Sequence, residues 1–474
     1  MRNRRRFPRA AGVFWIAALF LAVAGTISAA GDVNLSGANA FKDLDNSDGT
    51  PDGVYNVSGS LTLQPGASIL CNDSGLPPAS ACPISIVVDG DMTMLSASSI
   101  LAENNVGGGS GGDISIRVKG SSFSVGPSAL ISSRKNAATD KAGAGDIFIA
   151  VGGLVISGGD VSCGSHFGDI AVDTSAVITA DGNGEAGSVQ IYAGNSLVLG
   201  GAVRAQGFTT TGRGGPIFLG ACAGLGTAPS SVVSSRGGGP GADLVQLVGG
   251  IVEIQGLVES TGAGHQAPAG NNLCNPGGFP VDSTACVKVL SGDSITVSPS
   301  AEVNADTGFS GGTHGSGWID FLSSGDIAIN GDDKRPFALH ANQGLTNGHG
   351  GFIQVRSIGG GNIWLTGKAI QANSLAGGGK GGTVTVEATF GTVDLGQSTV
   401  QANGSIFGGG GQAGGHVTVN AFLGDINGSL PGELDAIGGG IFGPPGSVSL
   451  NFCNSMNYSG LTVPGAQTTR ICAF

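Results

Sequence analysis

GTVTVEATFGTVDLGQSTVQANGSIFGGGGQAG, residues 382–414, reads as three short alternating runs closed by glycine or small polar turns. Val384 and Val386, Val393 and Leu395, then Val400 and Ala402 take same-face positions, because strand side chains alternate with period 2. Such a stretch predicts three brief strands, each with one apolar face, joined by tight corners.

The pattern repeats outward from this stretch. An aliphatic-x-aliphatic pair (once aromatic) recurs at Ile84/Ile86, Ile114/Ile116, Ile147/Ile149, Ile170/Val172, Val189/Ile191, Ile217/Leu219, Val245/Leu247 and Val287/Val289. It continues at Ile319/Phe321, Ile353/Val355, Val384/Val386, Val417/Val419 and Val448/Leu450. Steps of 28–34 residues dominate, broken by 23, 19 and 42. No window shows helical i, i+3, i+4, i+7 spacing over a useful length, and a propeller blade would need longer elements. The fold expected is all-β: a right-handed parallel β-helix of about 13 coils with disulfide-linked caps and loops, each pair marking the first strand of a coil. Parallel strands buried on both faces would read as unbroken apolar runs, so the alternation points to a solenoid with one face inward and one in solvent. The long step between Val245 and Val287 is read as a loop insertion.

Of the 474 residues 90 are glycine, 5% are aromatic and 11% are charged. Glycine at this level without a three-residue period excludes collagen, and the ordered Val/Ile/Leu alternation argues against disorder. Many tight corners account for the glycine.

The first 30 residues combine a basic start holding five arginines, an apolar stretch from about Ala10 to Ala24, and Ser28 and Ala30 at the −3 and −1 positions. This is the pattern of a secretory signal peptide cleaved after Ala30. Arg4-Arg5-Arg6-Phe7 loosely matches a twin-arginine signal, although a plain basic leader fits better. No later run of 18 apolar residues occurs, so no transmembrane helix is expected in the mature chain. Localisation follows: periplasm, outer surface or extracellular space. Removing five signal arginines from 21 basic residues leaves 16 against 33 acidic ones, a balance near −17. That charge disfavours nucleic acid and anionic lipid.

All eight cysteines lie after the signal, the usual sign of disulfides in an exported chain. Proximity in sequence favours Cys71–Cys82, Cys274–Cys286 and Cys453–Cys472, with Cys163–Cys222 left by elimination. The domain reading is a signal at 1–30, an N-terminal cap at 31–82, the β-helix at 83–450 and a C-terminal cap at 451–474, the caps covering strand edges. Val303-Asn-Ala-Asp306, Leu339-His-Ala-Asn342, Ile370-Gln-Ala-Asn373 and Val400-Gln-Ala-Asn403 align a small Ala and a terminal Asp or Asn. Asn342, Asn373 and Asn403 are therefore read as a structural asparagine ladder at a corner.

Gly-Gly-x-(Ile/Val)-x-(Ile/Val), Gly-x-(Ile/Val)-x-(Ile/Leu) and (Val/Ile)-x-Ala-Asn-Gly together resemble the coils of filamentous-haemagglutinin-type bacterial adhesins and other exported β-helix proteins. The resemblance covers about residues 84–450. It implies an exported surface protein; no C-terminal barrel-forming translocator and no recognisable two-partner secretion domain accompany it.

Three places could carry chemistry. Asp43, Asp45, Ser47, Asp48 and Asp52 gather oxygen ligands suited to calcium, without EF-hand spacing. Asp332-Asp333 and Asn347-Gly-His349-Gly resemble motifs of polygalacturonase-like glycosidases, but that family's Asn-Thr-Asp and Arg-Ile-Lys motifs are missing. Trp318, Phe352 and Trp364 are expected to face outward, with Asp320 and Gln354 nearby to hydrogen-bond a ligand; outward aromatics stack on sugars or pack on a partner. Asp113, Asp146 and Asp169 are placed with Trp318 and Phe352 in one outward first-strand column. The function expected is an exported structural or adhesin-like surface protein that binds carbohydrate or a cell-surface partner without catalysis. The competing class is a polysaccharide-active β-helix hydrolase or lyase.

Overall fold

Alternation becomes a core wherever inward side chains stack from coil to coil. In the computed structural model Ile84, Ile114 and Ile147 pair in register, as do Val384, Val417 and Val448, all at most 1% exposed. Each such residue contributes about 1.5–3 kcal/mol by leaving water. The structure describes residues 28–29, 31–41, 44, 54–71, 81–105, 109–135, 143–152, 154–157, 160–164, 168–210, 212–238, 242–262, 285–307, 317–344, 349–375, 378–405, 412–439 and 443–472. The fold is an all-β parallel solenoid, its coil count differing slightly from the 13 expected. The chain divides into two compact units, one up to Val233 and one from Ser234.

Each coil places one strand on each of three faces, here A, B and C. In the first unit face A stacks Tyr55–Val57, Ile84–Val88, Ile114–Val118, Ile147–Val151, Val189–Ala193 and Ile217–Ala221. Face B runs from Val33–Leu35 to Gly224–Thr227, and face C from Ala38–Ala40 to Ala202–Gly207. Residues 33–70, expected within a cap, thus supply solenoid strands.

One expected coil dissolves here. Ile170 and Val172 pair with Phe123 and Val125 and with Leu197 and Leu199, so Asp169–Val172 is a face B strand. Its coil begins at Ile147, and the short steps of 23 and 19 residues are parts of one coil. An insertion after Val151 lengthens that coil, and it carries an antiparallel hairpin, Val155–Ser157 with Asp160–Ser162. Asp169 accordingly leaves the face A column.

In the second unit Leu244–Ile254 and Cys286–Val297 pair along their length and run through faces A and B. The step of 42 residues is therefore one coil. Face A continues through Trp318–Ser323, Phe352–Ser357, Thr383–Ala388, His416–Ala421, Ser447–Phe452 and Gln467–Arg470. Face B holds Ile327–Asn330, Ile363–Thr366, Val393–Asp394, Ile426–Gly428 and Met456–Tyr458. Face C holds Leu257–Gly262, Glu302–Asn304, Leu339–His340, Lys368–Gln371, Thr399–Gln401, Glu433–Asp435 and Leu461–Val463.

Corners consume glycine and short polar side chains. Before face A, a Cβ on Gly382, Gly415 or Gly446 would sit 2.1, 2.0 or 1.9 Å from the carbonyl oxygen of Gly351, Gly382 or Gly415 one coil back. Backbones approach there too closely for any side chain. Between face C and the next face A the expected ladder is present. Asp306 accepts the Asn342 N–H at 2.5 Å, Asn342 that of Asn373 at 2.9 Å, Asn373 that of Asn403 at 2.7 Å, and Asn403 that of Ile437 at 2.8 Å. Other corners use the same bond: Asp113 takes the Asp146 N–H, Asp146 that of Ser188, and Asp326 that of Asn362.

Disulfides join Cys71–Cys82, Cys163–Cys222 and Cys453–Cys472, as expected. Cys286 is also disulfide-bonded, and its expected partner Cys274 lies outside the described residues.

Candidate functional site

On face A of the second unit, β-register brings Trp318 opposite Phe352 and Asp320 opposite Gln354. The two rings stack with centroids 4.2 Å apart at 27°. Trp318 is only 5% exposed, and its indole N–H has no hydrogen-bond partner among the described residues. Its outward position is thus covered, and Phe352 presents the more open ring of the pair. Asp320 is buried as well, and Arg356 donates to its carboxylate at 3.1 Å. A carboxylate held this way is neutralised by its partner and presents little to a ligand. Arg356 was missed in the sequence because it stands one coil on and two residues beyond Gln354, a relation visible only once coils are aligned.

Trp364 belongs to a different side of the coil. It lies on face B, between Ala328 of the preceding coil and Asp394 of the next, and is 37% exposed. Ala328 is too small to cover the indole. Asp394 is followed in the same row by Asn427, then Asn457, whose amide donates to Asn427 at 3.3 Å. Two residues along, Thr366 donates to Asn330 at 3.2 Å. The result is one open indole on a row of carboxylate, amide and hydroxyl groups. The five expected ligand-binding residues therefore separate: Trp318, Asp320, Phe352 and Gln354 stand together on face A, while Trp364 stands apart.

Face C holds two groupings without a local sequence signal. His340 is buried, with Nδ1 2.9 Å from Asp306 and Nε2 3.0 Å from Glu302. Burial alone would lower its pKa, but hydrogen bonds and charge from Asp306 and Glu302 outweigh this and raise it to about 9. The hydrogen bond from His340 in turn holds the Glu302 carboxyl below its ordinary value against desolvation. Farther along, Asp435 is 3% exposed, and its Oδ1 has no hydrogen-bond donor among the described residues. Burial, then the hydrogen bond and charge of Glu433, push its pKa up to about 7, opposed by the Gln401 amide 3.4 Å away. Aligning the face C strands finds both: Asn304, His340, Gln371, Gln401 and Asp435 form one row.

Of the glycosidase-like motifs, Asn347 lies outside the described residues, and Asp332 and His349 do not gather. Asp332 caps its own turn, accepting the Lys334 N–H at 2.9 Å with Arg335 3.7 Å away, beyond the face B strand. His349 lies at the corner leading into face A, where Nδ1 accepts the Lys380 N–H at 3.2 Å. With Asp320 in the middle of face A, the coil path puts the three on different sides. The calcium candidates Asp43, Asp45, Ser47, Asp48 and Asp52 lie outside the described residues. Among the described residues, no three His, Cys, Asp or Glu side chains are grouped to hold a metal, and no helix is long and apolar enough to cross a membrane. No protein-family profile, curated protein or solved structure matches the chain.

Proposed function

We propose that the chain is an exported, adhesin-like structural protein of the cell surface whose solenoid binds carbohydrate through an outward face. The observation that supports this most is the open Trp364 indole beside Asp394 on face B. An indole face offers a flat apolar contact for a sugar ring, and neighbouring carboxylate and amide groups take up its hydroxyls. Electrophoresis of the mature protein through gels containing neutral or acidic polysaccharides tests this reading. The wild type is expected to be retarded by at least one polysaccharide, and Trp364→Ala to migrate freely with an unchanged melting temperature. Equal retardation of both proteins sinks the assignment of the site.

The enzyme alternative has one observation in its favour. Burial, then the hydrogen bond and charge of Glu433, push the Asp435 pKa up to about 7, and a carboxyl raised in this way next to a carboxylate suits general acid work at a glycosidic bond. Release of reducing ends from any polysaccharide, abolished in Asp435→Asn, would establish hydrolysis in place of simple binding.

A further inference from the structure

The open indole on face B of the second unit has a single carboxylate beside it, and the charge around the pair is one-sided. Neighbouring strands lie about 4.8 Å apart, so Trp364 and Asp394, opposite in register, are close. Asp394 Oδ1 accepts the Gly396 N–H at 2.8 Å, which fixes the carboxyl group. No cation pairs with it among the described residues.

Residues 324–330, 358–367, 389–397, 422–429 and 453–459 form this part of face B with its adjoining corners. They hold three aspartates, Asp326, Asp394 and Asp425, and no Lys, Arg, His or Glu. Asp326 and Asp425 sit at the corner before the strands, where one oxygen of each accepts the Asn362 or Ser455 N–H at 2.8 Å. Cations stand only past the other edge. There Arg335 lies 3.7 Å from Asp332 and donates to the Ser300 carbonyl, and Lys368 reaches the Arg335 carbonyl.

The pair is also accessible. Trp364 and Thr366 are exposed, Ala328 and Asp394 are half-buried, and the corners on both sides of the two strands lie within the described residues. Segments 345–348, 376–377, 406–411 and 440–442, outside the described residues, each fall in sequence between a face C strand and the next face A strand. None of them adjoins face B along the chain.

We infer that Trp364 and Asp394 select a glycan bearing free amino groups, a polymer of deacetylated amino sugar. The inference rests on the carbohydrate reading and names its substrate class. The indole stacks one sugar ring, and the ammonium group on the rim of that ring reaches the Asp394 carboxylate one coil on. A protonated amine gains further from the negative face of the indole. A neutral sugar keeps the stacking and loses the charged contact. A uronate meets three aspartates and a chain of net charge −12.

Calorimetric titration of the full chain at mildly acidic pH, where sugar amines are protonated, tests this. The probes are a β-1,4-linked glucosamine oligosaccharide, its fully N-acetylated counterpart and an oligolysine. The free-amine sugar is expected to bind roughly tenfold more tightly than the acetylated one, the size of one charged contact beside an aromatic face. Asp394→Asn, whose side-chain oxygen still accepts the Gly396 N–H, should abolish that preference and leave the acetylated sugar bound as before. Glu185→Gln removes the same charge from an exposed side chain in the other unit and should change nothing. Melting curves accompany each variant. Equal affinity for the two sugars, a preference that survives Asp394→Asn, or an equal effect of Glu185→Gln overturns the inference. Oligolysine binding as tightly as the free-amine sugar overturns it too. Equal affinity that is lost in Trp364→Ala overturns the amine preference alone and leaves the carbohydrate reading standing.

Discussion

His340 is held by two carboxylates from one neighbouring coil, so its charge is part of the fold. Its pKa in the folded state, about 9, lies above the ordinary imidazole value of about 6.5. The stabilisation is therefore fully present below about pH 6.5 and is lost as pH rises through about 9. Unfolding free energies from urea titrations at pH 6 to pH 10 should fall by on the order of 3 kcal/mol, and His340→Gln should flatten that slope. A slope unchanged by the substitution would show that the two carboxylates do not hold the imidazolium. A second residue-scale expectation concerns Asn373, which is nearly buried, accepts the Asn403 N–H and donates to Gln401. Asn373→Ala leaves the half-buried Asn403 N–H unpaired and should cost about 1 kcal/mol in denaturant unfolding. Asn373 was legible in the sequence from the repeated Val-x-Ala-Asn, because a corner role recurs once per coil. The His340 contacts were not, since Glu302 and Asp306 are 38 and 34 residues away. Their meeting depends on which strands stack.

Each strand is short, and each corner fixes where the next begins. Inward pairs such as Val384/Val386 could be read directly, because a two-residue period needs no knowledge of neighbours. Assignment of a strand to a face could not. Ile170/Val172 has the same spacing as a first strand, and only the insertion after Val151 reveals that its coil had already begun. Trp318 shows the other limit: alternation gives the direction of a side chain, while its cover comes from residues distant in sequence. The glycine corner gives an element-scale prediction. Gly415→Ala places a methyl group 2.0 Å from the Gly382 oxygen, so the two backbones must part. A loss of about 1–3 kcal/mol is expected, against a change within about 0.5 kcal/mol for Gly224→Ala, where nothing lies within 4 Å. Equal effects of the two would mean that the corner tolerates a wider spacing.

For the whole chain, stability is a sum of coils and the contacts between successive coils. Arrays of this kind depart from two-state unfolding when local stabilities differ. Trp318 and Trp364, the tryptophans among the described residues, lie in the unit that starts at Ser234. Their fluorescence reports that unit, while far-ultraviolet circular dichroism reports every strand. The two urea transitions should therefore fail to coincide. Superimposable curves would show that all coils unfold as one block.

The corner ladder has a consequence for chemical ageing. Every rung uses a side-chain oxygen as acceptor for a backbone N–H, and an aspartate fills the place as well as an asparagine: Asp306 heads the same ladder as Asn342, Asn373 and Asn403. Asn403 precedes Gly404, the pairing in which a backbone amide most readily attacks the side chain and converts it to a carboxylate. Conversion to ordinary aspartate would leave the rung's bond in place and only add a negative charge to the corner. Conversion at Asn403 thus makes this corner more acidic while its coils stay in register.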